Sequence, residues 1–115
     1  MTILRTEDAP GGLQVQTRAG EWLDVHAVSG SFVVNLGDMM ARWTNDRWSA
    51  TLHRVAVPPA DRAQRSRRQT IVFFHDPRAD AAIECIPSCT DADDPPRYEP
   101  VTALEHVNAK AAKTH

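Results

Sequence analysis

A chain of 115 residues, 42% hydrophobic and 24% charged, has room for one soluble domain and little more. Its formal net charge of −2 argues against bulk attraction to nucleic acid or to an anionic membrane surface. No apolar run approaches the ~20 residues that span a bilayer, Arg5 comes too early for a signal peptide, and two cysteines make no disulfide scaffold, so a cytoplasmic, reduced protein is expected.

Glycine and proline clusters at Pro10-Gly11-Gly12, Gly20, Gly30, Pro58-Pro59, Pro77, Pro87 and Pro95-Pro96 cut the chain into short segments. These suit strands better than helices. Leu13 to Thr17 alternates apolar and polar residues, the period of a half-buried strand, and Glu21 to Val25 reads as the returning arm of a hairpin. Ser31 to Leu36 is almost continuously apolar, which predicts a strand covered on both faces. Asp38 is a suitable N-cap for a short helix over Met39 to Trp43. Extended character returns from Ser49 to Val57. A polar loop runs from Pro58 to Ser66, and another strand from Arg68 to His75. Ala82 to Ile86 is a weaker strand, and Val101 to Lys113, rich in Ala, Leu, Glu and Lys, predicts a C-terminal helix. About six short strands and one terminal helix make the chain mainly β, a sandwich or barrel with fewer strands than a complete jelly roll.

Few side chains suggest chemistry. His53 falls within the extended segment Ser49 to Val55, where it is either a hydrogen-bonded structural histidine or a ligand. Strand alternation puts Arg68, Thr70, Val72 and Phe74 on one face. A guanidinium and a hydroxyl two residues apart can engage one carboxylate, the guanidinium as a bidentate fork; the alternative is a solvated strand end. The arginines at 62, 65, 67 and 68 read as a solvated loop rather than a nucleic-acid patch. Cys85 and Cys89 lack the second ligand pair of a structural zinc site, and Trp22, Trp43 and Trp48 read as core and rim aromatics. There is no phosphate-binding glycine loop, nucleophile elbow or His-Glu-x-x-His.

Taken in order, Gly11-Gly12-Leu13-Gln14-Val15, Trp22-Leu23-Asp24-Val25, Val34-Asn35-Leu36-Gly37-Asp38, Arg42-Trp43-Thr44-Asn45, Ser49 to Val55, Arg68 to Phe74 and Tyr98-Glu99-Pro100-Val101-Thr102 resemble the C-terminal part of the isopenicillin N synthase-like 2-oxoglutarate/Fe(II)-dependent dioxygenases. The resemblance covers roughly residues 1 to 110. It implies a partial double-stranded β-helix, or jelly roll, with a C-terminal helix. It implies Fe(II) and 2-oxoglutarate as cofactors of the intact enzyme, with His53 at the distal iron-binding histidine. Arg68 and Thr70 then correspond to the Arg-x-Ser pair that binds the far carboxylate of 2-oxoglutarate, Thr standing in for Ser.

The family's iron is held by a His-x-Asp pair as well as the distal histidine, three donors that leave positions open. No His-x-Asp or His-x-Glu occurs in these 115 residues. The chain is therefore expected to be a C-terminal portion of such an oxidoreductase, whose N-terminal part and His-x-Asp segment are absent. It is expected to hold no stable iron alone and to be inactive in isolation. Its implied partner is a small-molecule substrate, with no nucleic acid and no membrane. Uncovered sheet surface gives scope for self-association. The alternative is a non-catalytic β-sandwich remnant that binds a small carboxylate or a protein partner.

Overall fold

The computed structural model describes residues 1–114. Its contacts divide the chain into two units, one of residues 2–35 and 51–74, the other of Met1, residues 36–50 and the chain from His75 onward.

The first unit holds two three-stranded antiparallel sheets. In one, β1 (Thr2–Thr6) lies between β4 (Val33–Asn35) and β6 (Thr70–Phe74). In the other, β2 (Gly12–Gln16) lies between β3 (Trp22–Asp24) and β5 (His53–Ala56). The expected hairpin is β2–β3, closed by Thr17 N–H donating to Glu21 O at 2.8 Å and turned by Gly20, whose φ of +88° suits glycine. On the outer face of this sheet Arg54 stacks over Trp22, 4.1 Å from the ring centroid. Arg54 Nε also donates to Gln14 Oε1 at 2.8 Å, and Gln14 Nε2 to Asp24 Oδ1 at 2.7 Å.

Three sequence expectations need correction here. The segment from Ser31 is a strand only over Val33–Asn35, at the edge of its sheet, and Val34 is 56% exposed, so that one face of β4 is not covered. Regular pairing in the segment from Ser49 starts at His53, which is the first residue of its strand and not a middle one. The strand expected from Arg68 starts at Thr70.

The second unit packs α1 (Asp38–Trp43), the two-residue strands β7 (Ala82–Ile83) and β8 (Val101–Thr102), and α2 (Ala103–Thr114). Its apolar centre is Ile83, fully buried, with Ala103 at the start of α2. Gly37, not Asp38, caps α1, without a side-chain hydrogen bond. Asp38 instead engages Lys110 Nζ at 2.5 Å and His106 Nε2 at 3.4 Å, tying α1 to α2. A reciprocal capping box starts α2: Glu105 Oε2 accepts from the Thr102 N–H at 2.7 Å, and Thr102 Oγ1 accepts from the Glu105 N–H at 3.2 Å. The backbone and hydroxyl donors of Thr102 hold the Glu105 carboxyl below its ordinary range.

Asn45 and Asp46 follow α1 with φ of 51° and 64°, a left-handed turn. Asn45 is buried and uses its whole carboxamide, accepting from the Arg97 N–H at 2.9 Å and donating to Pro95 O at 3.2 Å. Tyr98 donates its hydroxyl to the Asp46 carboxylate at 2.8 Å. Cys85 and Cys89 are free thiols, Cys85 Sγ lying 3.5 Å from Asn45 Oδ1. Trp48 is 53% exposed, a rim residue. The expected core is small. Among the described residues only Ile83 and Ala103 are buried apolar side chains.

Candidate functional site

β6 runs antiparallel to β1 with Thr70 opposite Thr6 and Val72 opposite Leu4. The ladder continues one rung beyond the regular strand. Glu7 N–H donates to Gln69 O at 3.1 Å, and the Glu7 carboxylate accepts the Gln69 N–H at 2.8 Å. Gln69 is thus clamped through both backbone groups, which keeps Arg68 in phase with Thr70 although it precedes the strand. The Thr70 and Thr6 hydroxyls meet at 2.7 Å, and Thr6 Oγ1 also lies 3.3 Å from Glu7 O.

Arg68 reaches the facing sheet. Its guanidinium lies flat against Gly12, at the start of β2, where an added Cβ would be 2.5 Å from Arg68 Cζ. Gly12 has φ of +105°, and both its missing side chain and its backbone conformation are needed for this approach.

Between the two sheets lies a cavity of about 810 Å³. Arg68, Thr70 and Val72, one face of β6, form one wall, and Leu13 and Val55 of the other sheet form another. The cavity therefore has mixed walls: the guanidinium of Arg68 and the hydroxyl of Thr70 line it with the apolar Leu13, Val55 and Val72, and the carboxylates of Glu7, Asp8 and Asp24 line it as well. A guanidinium and a hydroxyl on one wall can receive a small carboxylate. Arg62, from the 3-10 helix Ala60–Arg65, is a further wall. Arg67 borders a smaller hollow of about 420 Å³ that Arg68 and Thr70 share.

His53 stands opposite Val15 and shares a face of β5 with Val55. It is one pleat beyond Val55 and is not a wall of the cavity. Both hydrogen-bond contacts of its ring fall on Nδ1: Asn35 Nδ2 at 2.9 Å, from β4 of the facing sheet, and Thr51 O at 3.2 Å. Among the described residues no three His, Cys, Asp or Glu side chains come together as a metal site. A single imidazole does not fix Fe(II), so the described side chains do not by themselves fit an iron centre.

Sequence reasoning missed Gly12, Glu7 and Asn35 as parts of this arrangement. Gly12 had a signal, a Gly-Gly pair opening an alternating strand, which marks close backbone approach as well as a turn.

Residues 1–77 match the 2OG-Fe(II) oxygenase superfamily. The chain belongs to that family. It is 40% identical over 105 residues to the 2-oxoglutarate-Fe(II) type oxidoreductase hxnY of Emericella nidulans, covering 90% of this chain and 29% of hxnY. A 2OG-Fe(II) oxygenase family protein of Caulobacter crescentus superposes with a TM-score of 0.84 and 34% identity, over 100% of this chain and 38% of its own. A full-length Neurospora crassa protein, solved in complex with alpha-KG and thymine, superposes with a TM-score of 0.83 and 34% identity, over 99% of this chain and 34% of its own. The chain thus spans about a third of the length of these oxygenases, and its mainly β architecture is part of their jelly roll.

Proposed function

We propose that this chain contributes the cosubstrate clamp and one iron ligand to an oxidoreductase that oxidises a small molecule with O2 and 2-oxoglutarate. In this reading Arg68 forks onto the distal carboxylate of 2-oxoglutarate, Thr70 donates its hydroxyl to the same group, and His53 is the distal ligand. The observation that carries it is the convergence of Arg68 and Thr70 on one cavity, with Arg68 seated on Gly12.

Iron, when bound, supplies the oxygen-activating chemistry, and the described residues hold only one donor for it. What these residues do is bind and orient. A guanidinium pressed against a glycine backbone loses little freedom when it meets a carboxylate, which favours a fixed geometry. The apolar walls Leu13, Val55 and Val72 suit the methylene segment of a dicarboxylate. The Neurospora crassa relative, in complex with alpha-KG and thymine, supports a small-molecule substrate for the whole enzyme.

The test is an NMR titration of the chain with 2-oxoglutarate and with glutarate, which keeps both carboxylates but lacks the keto group that iron would chelate. Both should perturb the amides of Gly12, Gln69 and Thr70, and Arg68→Ala should abolish the effect. A titration that leaves those amides unmoved contradicts the assignment.

A further inference from the structure

The hollow beside Arg67 is continuous with the cavity. Val55, Ala56, Val57, Pro58, Arg68 and Thr70 border both spaces, and Ser66 and Arg67 belong to the hollow alone. The hollow opens to solvent just past the end of β5, where Val57 is 90% exposed. Ser66 anchors the chain below Arg67: its hydroxyl and its N–H both donate to Ala63 O, at 2.6 and 3.2 Å. Strand alternation puts Arg67 and Arg68 on opposite sides of the chain entering β6, yet both border the hollow.

The two spaces differ in charge. Around the cavity, Arg62 and Arg68 are offset by Glu7, Asp8 and Asp24, and Arg62 lies only 3.8 Å from the carboxylate of Asp61. The hollow has no acidic residue on its border, and its charged groups are Arg67 and Arg68. A dianion that approaches past Glu7 and Asp8 meets like charge. One that approaches through the hollow meets only opposite charge, and a cleft lined by one sign of charge concentrates its counter-ion.

We propose that the hollow is the route by which a dicarboxylate reaches the clamp, with Arg67 as a transient carboxylate site along it. The proposal rests on reading Arg68 and Thr70 as the clamp and adds how the ligand arrives. A carboxylate pairs first with Arg67 and passes to Arg68, the next residue, where hollow and cavity join. Once it is seated, the chain lies between the ligand and Arg67, and salt screens what attraction is left. Such a residue speeds passage in both directions, so entry and exit change together and affinity stays nearly constant. Loss of a clamp residue shows instead in faster dissociation.

The experiment measures glutarate exchange on the nitrogen-15-labelled full chain. NMR line shapes of the Gln69 and Thr70 amides give association and dissociation rates at low and at physiological ionic strength. Native association should slow as salt rises. Arg67→Gln should slow association and dissociation alike, by roughly threefold to tenfold at low salt, and flatten the salt dependence. Arg67→Lys should restore both rates, because the route needs charge rather than a bidentate fork. Arg62→Gln, on the acidic side, should slow them less. Unchanged rates in Arg67→Gln, a change in only one of the two, or a greater slowing by Arg62→Gln overturns the route while glutarate-induced shifts at Gly12 and Thr70 keep the clamp. A native chain without those shifts loses the clamp and the route together.

Discussion

A methyl group on Gly12 would lie 2.5 Å from the guanidinium carbon of Arg68 and 2.7 Å from its Nη1. The arginine therefore has its resting place only because that residue of β2 has no side chain. Gly12→Ala is expected to displace the Arg68 guanidinium and to weaken 2-oxoglutarate binding, but by less than Arg68→Ala does, because the end of a flexible side chain can shift. It also strains the backbone, which has φ of +105° there, at a cost of roughly 1–3 kcal/mol. Gly20→Ala separates the two effects. Gly20 has φ of +88° with open space around it, so its substitution should destabilise the fold and leave carboxylate binding unchanged. Calorimetric binding and thermal melts of both variants decide the matter.

The clamp itself predicts an ordered series in an enzyme completed by the missing ligands. A hydrogen bond to a charged group is worth ~1.5–3 kcal/mol net, and a bidentate contact lies at the upper end. Loss of ~3 kcal/mol corresponds to over a hundredfold weaker binding. Arg68→Ala should raise the half-saturating 2-oxoglutarate concentration by about that factor, Arg67→Ala should matter little, and Thr70→Ser should be nearly neutral. The 2.7 Å contact between the Thr6 and Thr70 hydroxyls adds one member to the series. If Thr70 gives its proton to the ligand, Thr6 must turn from Glu7 O and donate to Thr70. Thr6→Val should then weaken binding by about 0.5–1.5 kcal/mol, the usual worth of one neutral hydrogen bond. An unchanged affinity in Thr6→Val would mean that Thr6 does not support Thr70 by donating to it in the complex.

In the second unit, burial pushes the Asp38 carboxyl up, but hydrogen bonds and charge from Lys110 and His106 outweigh it and hold the group below its ordinary 3.8. A carboxyl whose folded value is depressed stabilises the fold above the unfolded value and ceases to do so as pH falls through the folded one. The α1–α2 tie should therefore be intact at neutral pH and lost in acid, below about pH 4. Because Asp38 and Lys110 are both well exposed, its worth is that of a surface pair, about 0.2–1 kcal/mol. Urea melts of native chain and Asp38→Asn should differ at pH 7, and the difference should shrink as the pH falls below 3.8.

Iron gives the most direct measure of how much of a centre is present. With one candidate imidazole and no cluster of three donors among the described residues, anaerobic titration and dialysis of the chain should leave no stoichiometric Fe(II). One retained iron per chain that disappears in His53→Ala would contradict this.

The clamp was legible in the sequence because strand alternation is a local rule. Arg68, Thr70 and Val72 fall two apart, and one cavity wall contains all three. The strand itself starts later than its composition suggests, since the rung before it keeps one backbone bond, Glu7 N–H to Gln69 O, while the Gln69 N–H goes to the Glu7 carboxylate. The partners across the sheets were not legible. Gly12 meets Arg68, and Asn35 meets His53, only when β2 and β5 face β1, β4 and β6, and no spacing within one strand encodes that. Ser31 to Leu36 misled for a related reason: its apolar run suggests a strand covered on both faces, but what lies against each face is not encoded within the strand, and Val34 is 56% exposed. The capping box at Thr102 and Glu105 was readable, as Thr-x-x-Glu before an apolar run, and fixes the true start of α2 at Ala103.

The edge strands carry the last expectation. β6 is the outer strand of its sheet, all five of its residues are exposed, and Ile71 and Phe74 are 57% and 66% exposed. An exposed apolar edge with ordinary strand geometry is a template for another chain. At roughly 25 cal/mol per Å², covering a few hundred Å² of such surface returns several kcal/mol, comparable with the ~5–15 kcal/mol that holds a whole domain together. The isolated chain is therefore expected to associate as its concentration rises. Ile71 lies opposite Arg5, on the face of β6 away from Arg68 and Thr70, and is not a wall of the cavity. Ile71→Lys should reduce association by placing a desolvation cost on that edge, while leaving the glutarate-induced shifts at Thr70 in place. Sedimentation velocity over a concentration series measures the first effect, and the NMR titration the second. A native chain that sediments as a single monomer at every concentration would show that the β6 edge is not used for pairing.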